Sequence, residues 1–270
     1  MTAATAASTV DPKARDFYVR ALGKLEQNKV PYLVGGAYAF ARYTGIERHT
    51  KDFDIFIKRS DWEHASAVLS KAGYKTELTF PHWIGKAYNG DDFIDLIFSA
   101  GNGVAQVDDH WFEYAVSEKV LGMDVKLIPP EEMLWSKGLI MERERFDGAD
   151  VAHVIHALGP KLDWPRLIDR YAGYWRVLYA HLVLFGFIYP TDRDRIPKQV
   201  MEELGNRLAQ ELKQPPPKDK VCNGTIISRQ QYLKDVTDWG YKDARLQPLG
   251  NMSGDEIAHW TKGIEVDGAK

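Results

Sequence analysis

Asp52 and Asp54 stand one residue apart at the head of an apolar stretch, Phe53-Asp54-Ile55-Phe56-Ile57. A third acid, Asp95, is set in a second stretch, Phe93-Ile94-Asp95-Leu96-Ile97-Phe98. A carboxylate inside an apolar strand is costly unless its charge is offset. In an extended chain residues i and i+2 share a face, so Asp52 and Asp54 project side by side. Carboxylates converging on one sheet face repel one another, and a bound divalent cation relieves the repulsion. Oxygen-only ligands suit a hard ion. Mg²⁺, which keeps several waters and binds through carboxylates and substrate phosphates, fits this set, with Mn²⁺ as a substitute. Upstream, a Gly35-Gly36 pair ends an apolar run, and a glycine turn at a helix start exposes backbone N–H groups to phosphate. Together these residues point to metal-assisted phosphate chemistry.

The segment Val34-Gly35-Gly36-Ala37-Tyr38-Ala39, followed by Arg48-His49-Thr50-Lys51-Asp52-Phe53-Asp54-Ile55, resembles the entry motif of the nucleotidyltransferase superfamily. Members share a core fold with DNA polymerase beta and include antibiotic and toxin nucleotidyltransferases. The resemblance covers roughly residues 14–145. It implies that Gly35 and Gly36 form the triphosphate loop, that Asp52 and Asp54 are shared metal ligands, and that Asp95 is the third acid. Asp95 would complete the second metal site and act as general base. Lys137, on the helix after Pro130, would steady the triphosphate, and Arg48 and Thr50 would touch phosphate or brace the loop. The implied activity is transfer of a nucleoside monophosphate from a triphosphate to a hydroxyl or phosphate. The acceptor (small molecule, RNA or protein) and the choice of triphosphate are not given by the sequence.

Two readings from other classes use the same residues. One is a degenerate member that binds nucleotide or a partner without turnover. The other is a metal-dependent phosphodiesterase, since carboxylates and Mg²⁺ serve that chemistry too. The glycine pair favours a triphosphate donor over a water-driven hydrolase.

Other polar residues have plainer readings. Asp150, His153 and His156 recur every third residue, a spacing that could ligate zinc, but no cysteine or further acid motif accompanies them. Arg143 and Arg145 are expected on the same helix as Lys137. Tyr171, Tyr174, Trp175, Tyr179 and Phe185 could line an acceptor cavity, although such a stripe more often packs helices together. Cys222 reads as a loop residue.

With 270 residues, the chain is long enough for a full core and for two packed units. A net charge of −3 offers no whole-chain basic field for nucleic acid, leaving a local basic patch open. One cysteine excludes an internal disulfide and fits a reducing cytoplasm. The apolar run over 178–189 is too short to span a bilayer and contains His181, so it is expected as a buried helix and the protein as non-membrane. The oligomeric state is not readable.

The elements that must position these residues give an α+β class: a mixed sheet flanked by helices, then a helical C-terminal domain. Residues 1–12 form a tail, 13–129 the core, 130–214 the helical domain, and 215–270 a proline linker with a C-terminal tail packing on the body. Asp11-Pro12 opens a helix to about residue 28. Strands follow at 30–34, 52–58, 82–88, 93–98 and 124–128, with a short helix at 37–43. Ser60 with Glu63 and Ser253 with Glu256 offer capping boxes, and Asn89-Gly90 a hairpin turn. After Pro129-Pro130, helices are expected over 131–145, 148–158, 165–171, 175–187 and 197–213.

Overall fold

The computed structural model describes residues 11–267 apart from His49 and Lys51, with side chains described as far as Lys262. Residues up to Pro129 together with those from Met252 onward form one compact unit, and Pro130–Asn251 forms another. The class is α+β.

The first unit runs α1 (Pro12–Gln27), β1 (Leu33–Val34), α2 (Gly36–Thr44), β2 (Asp52–Phe56), α3 (Trp62–Lys71), β3 (Lys75–Phe80), β4 (Ile84–Asn89), β5 (Asp92–Ile97), α4 (Asp109–Glu113), β6 (Val116–Val120) and β7 (Met123–Leu127). Its sheet has the order β3-β4-β5-β2-β1-β7-β6. The pairs β2/β5 and β1/β7 are parallel and the others antiparallel. Asp11 caps α1, its carboxylate accepting from the Lys13 amide at 2.8 Å, as the Asp-Pro signal requires. Alternation along β2 sends Phe53 and Ile55 into the core, where the Phe53 ring lies 4.9 Å from Tyr18 of α1 and 4.7 Å from Tyr38 of α2. Ile94 and Leu96 of β5 are fully buried at the same registers. The acids therefore take the other face. Further along that face Phe56 is covered by a stacked Trp111 from α4.

Local differences from the sequence reading have identifiable causes. The Ser60–Glu63 capping box does not form; Arg59–Asp61 makes a 3-10 turn and Asp61 occupies the cap position of α3. The β4–β5 turn is centred on Gly90-Asp91 rather than Asn89-Gly90, because Asn89 pairs with Asp92 and Gly90 takes φ +66°. Glycine at the first central position suits a type II′ turn. Strands β3 and β6 are not among those expected from the sequence.

The second unit comprises α5 (Pro130–Gly138), α6 (Gly148–Leu158), α7 (Trp164–Tyr171), α8 (Trp175–Ile188), α9 (Lys198–Glu211), β8 (Val221–Cys222), α10 (Gly224–Ile227), α11 (Leu233–Thr237) and β9 (Lys242–Asp243). Helix α5 stops at Gly138, well short of the expected 145, which leaves Arg143 and Arg145 in a loop. Side chains take its last carbonyls: Tyr171 Oη donates to Leu134 O at 2.7 Å and His181 Nε2 to Gly138 O at 2.8 Å. A Cβ at Gly138 would lie 2.0 Å from Tyr171 Oη. The buried helix expected here is α8, which buries one face through Leu178, His181, Leu182 and Phe185 and leaves Phe187 82% exposed on the other. Cys222 is buried on β8 rather than placed in a loop.

In the first unit, α12 (Gly254–Asp267) begins with a formed capping box: the Ser253 amide donates to Glu256 Oε2 at 2.8 Å and the Glu256 amide to Ser253 Oγ at 3.3 Å. Trp260 packs against the backbone of Gly101. Among the described residues no helix is long and apolar enough to cross a membrane.

Candidate active site

The sheet register brings the three acids onto one face. Asp54 on β2 pairs with Asp95 on β5, and Asp52 with Phe93, so all four side chains project the same way from two adjacent parallel strands. Asp52 and Asp54 are half-buried, while Asp95 is 8% exposed. Burial is the main cause that pushes the Asp95 carboxyl above the usual carboxylate range. A hydrogen bond and charge from Lys86 act against it, and the Asp52 charge adds to it.

Gly35 and Gly36 meet Asp54 directly. Strand β1 ends at Val34, and the Gly35 amide donates to Asp54 O at 3.0 Å, continuing the pairing by one bond. Helix α2 starts at Gly36, whose φ of +52° lies in the left-handed region. A Cβ there would sit 1.7 Å from Asp54 Oδ2, and one on Gly35 would sit 2.2 Å from the Phe56 ring. The turn is thus pressed onto the second acid, and a negative group lies at the positive end of α2.

Of the other expected residues, Thr50 joins this surface as a brace. Its hydroxyl donates to Asp52 O and accepts from the Asp52 amide, each at 3.2 Å. Arg48 lies with its guanidinium carbon 4.4 Å from the centre of the Phe40 ring on α2. Lys137 belongs to the second unit, where its ammonium contacts Asp147 at 3.0 Å and Asp150 at 2.8 Å. Arg145 also holds Asp147, and Asp147 stays below the usual carboxylate range because these cations outweigh its burial. Asp150 is therefore an ion-pair partner of Lys137. It does not join His153 and His156 in a zinc site.

Sequence reasoning missed Lys86 at the first site. Lys86 on β4 lies opposite Asp95, with Nζ 2.6 Å from Oδ1. Its signal was available in the hairpin, given the right turn centre. Tyr18 and Tyr38 are buried in the core against Phe53, behind the face that carries the acids. Burial first, then Asp54, pushes the Tyr38 phenol up to about 12. Burial, Tyr38, Asp92, Asp52 and Asp54 raise Tyr18 in the same direction. Both remain neutral hydroxyls near neutral pH.

Among the described residues no group of three or more His, Cys, Asp or Glu side chains is gathered closely enough to enclose a metal ion. The donors do suit a Mg²⁺ that arrives with a triphosphate, since such an ion needs only one or two protein carboxylates. Asp54, beside the helix start, and Asp52 on the same strand face are two carboxylates that could serve in this way.

No protein-family model matches the chain, and no curated protein matches it. Solved structures that align with the chain include several nucleotidyltransferases. The antibiotic-resistance factor ANT(2'')-Ia in solution aligns with TM-score 0.40 at 15% identity, covering 76% of this chain and 97% of that one. Lincomycin-bound lincosamide antibiotic adenylyltransferase LnuA gives 0.38 at 20% identity, over 54% and 98%. An antigenic nucleotidyltransferase-like protein from Paracoccidioides brasiliensis gives 0.46 at 16% identity, over 69% and 95%. These likenesses concern fold, and the functional reading rests on the site.

Proposed function

We propose that the protein transfers a nucleoside monophosphate from a nucleoside triphosphate to a hydroxyl or phosphate oxygen of an acceptor. The observation that carries this reading is the contact between Gly36 and Asp54. It sets the second carboxylate of the pair directly against a helix start whose φ and clearance admit only glycine. A helix N-terminus attracts phosphate, and a carboxylate beside it would repel phosphate unless a cation lay between them. Asp52 and Asp54 would hold Mg²⁺, which when bound polarises phosphate oxygens and offsets the developing negative charge.

The residues then divide the work. The backbone after Gly35-Gly36 holds the terminal phosphates. Thr50 fixes the start of β2 and so the direction of Asp52. The acceptor oxygen bonds to the α-phosphorus, the bond from that phosphorus to the bridging oxygen of the β-phosphate breaks, and pyrophosphate leaves. The acceptor proton passes to Asp95. One Asp95 oxygen is held by Lys86, and the other takes no hydrogen bond from the described residues. Lys137 is left out of the phosphate contacts, because two carboxylates already neutralise it.

Product analysis tests the reading. Triphosphates labelled at the α-phosphate are incubated with the protein, Mg²⁺ and a fractionated cell extract. Transfer puts label on an acceptor and releases pyrophosphate. Label recovered only as free nucleotide indicates a hydrolase.

A further inference from the structure

Asp95 meets a counter-charge from its own sheet. The β4–β5 register sets Lys86 directly across from it on the site face, and Nζ lies 2.6 Å from Oδ1. The same ammonium lies 4.2 Å from the centre of the Phe93 ring, two residues before Asp95 on that face. The two side chains are only 22% and 11% exposed. Lys86 also has a second acid across from it: Glu77 on β3 is its register partner and is 46% exposed at the side chain, yet its ion pair is with Lys75. The ammonium is thus directed inward, to the less hydrated acid and across an aromatic face. A cation so placed is attracted both by the carboxylate and by the ring.

A second divalent ion on Asp95 would have to displace this ammonium or share its oxygen, against like-charge repulsion in a partly desolvated site. We infer that Lys86 is the built-in second cation of the site. The protein accordingly binds one divalent ion with the triphosphate, on Asp52 and Asp54, and leaves Asp95 unligated. This deepens the nucleotidyl-transfer reading and rests on it. It makes Lys86 a positioning residue, holding Asp95 ready for the acceptor.

Counting bound Mn²⁺ by electron paramagnetic resonance tests the inference without any acceptor. The full chain is saturated with analogues of ATP, GTP, CTP and UTP that cannot be cleaved between the α- and β-phosphates, each in parallel. Wild type and Lys86→Arg are expected to bind one Mn²⁺ per protein–nucleotide complex. Lys86→Met is expected to bind two, and Lys86→Met with Asp95→Asn to return to one. Lys86→Gln replaces Lys86→Met if the latter does not fold. Two Mn²⁺ in wild type would overturn the inference while sparing the nucleotidyl-transfer reading, as would one in a folded Lys86→Met or Lys86→Gln. No nucleotide-dependent Mn²⁺ in wild type with any analogue would overturn both.

Discussion

The Asp54 carboxylate fills the space that a side chain on Gly36 would need, with Oδ2 1.7 Å from the position of the missing Cβ. Two demands meet at one glycine: a positive φ at the first residue of α2 and the close approach of an acid from the neighbouring strand. Gly36→Ala is expected to cost about 1–3 kcal/mol from backbone strain alone and to push the carboxylate aside. Gly45, the αL cap at the other end of α2, has φ +73° and nothing within 4 Å of a Cβ. Gly45→Ala should therefore lower stability comparably and leave Mg²⁺-dependent triphosphate binding alone, whereas Gly36→Ala should weaken that binding at least about tenfold. Calorimetric titration and thermal melts of the two variants check this. Equal binding loss in both would show a helix effect rather than a site effect.

Asp52→Asn and Asp54→Asn should each abolish transfer while the fold persists. Both side chains are half-buried; removing the Asp52 charge relieves its repulsion of Asp95, whereas removing that of Asp54 also gives up a negative group at the start of α2. Circular dichroism should show a wild-type fold for both, with melting at wild-type stability or slightly above it for Asp52→Asn and at most about 1 kcal/mol below it for Asp54→Asn. Near wild-type turnover in either variant would remove that residue from the metal site.

Asp95→Asn separates binding from chemistry. Because Lys86 rather than the triphosphate partners Asp95, Mg²⁺-dependent nucleotide binding should persist while transfer falls by several orders of magnitude, as for an interaction needed mainly in the transition state. Binding and turnover measured on one preparation decide it. Undiminished transfer would exclude Asp95 as the base.

A pH dependence follows from His181 in the second unit. Burial holds its imidazole below the ordinary value, outweighing the hydrogen bond to Gly138 O. A group with a depressed folded pKa stabilises the fold above its unfolded pKa and loses that contribution as pH falls through the folded value. Wild type should therefore lose more stability than His181→Gln on moving from about pH 7.5 to about pH 5.5. Urea midpoints of the full chain at the two pH values measure the difference. An equal loss in both would assign the acid sensitivity to other groups.

Much of this architecture was legible because period and punctuation agreed. Gly148–Leu158 has the bounds expected of its apolar spacing, and Asp11-Pro12 set the start of α1. The face shared by Asp52, Asp54 and Asp95 followed from alternation, which a two-residue register shift leaves unchanged. Lys86 was hidden by such a shift: a turn centred on Asn89-Gly90 would set Ile84 opposite Asp95, whereas the actual turn sets Lys86 there. Helix α5 was overrun because its end is fixed by Tyr171 and His181, distant in sequence, and no local stop signal reports them. Ser60 and Ser253 head similar Ser-x-x-Glu patterns, yet only Ser253 caps, since a 3-10 turn precedes α3.

The most direct test of the central claim, a triphosphate site built on Asp52, Asp54 and the Gly35-Gly36 turn, is a thermal melt with each nucleoside triphosphate. It is run with Mg²⁺ or Mn²⁺, with a chelator, and again in Asp54→Asn. A ligand at one hundred times its Kd stabilises the native state by about 2.7 kcal/mol. At least one triphosphate should therefore raise the melting temperature of wild type by several degrees with the metal, and not in the chelator or in Asp54→Asn. Equal stabilisation with and without metal, or a full shift in Asp54→Asn, would contradict the account.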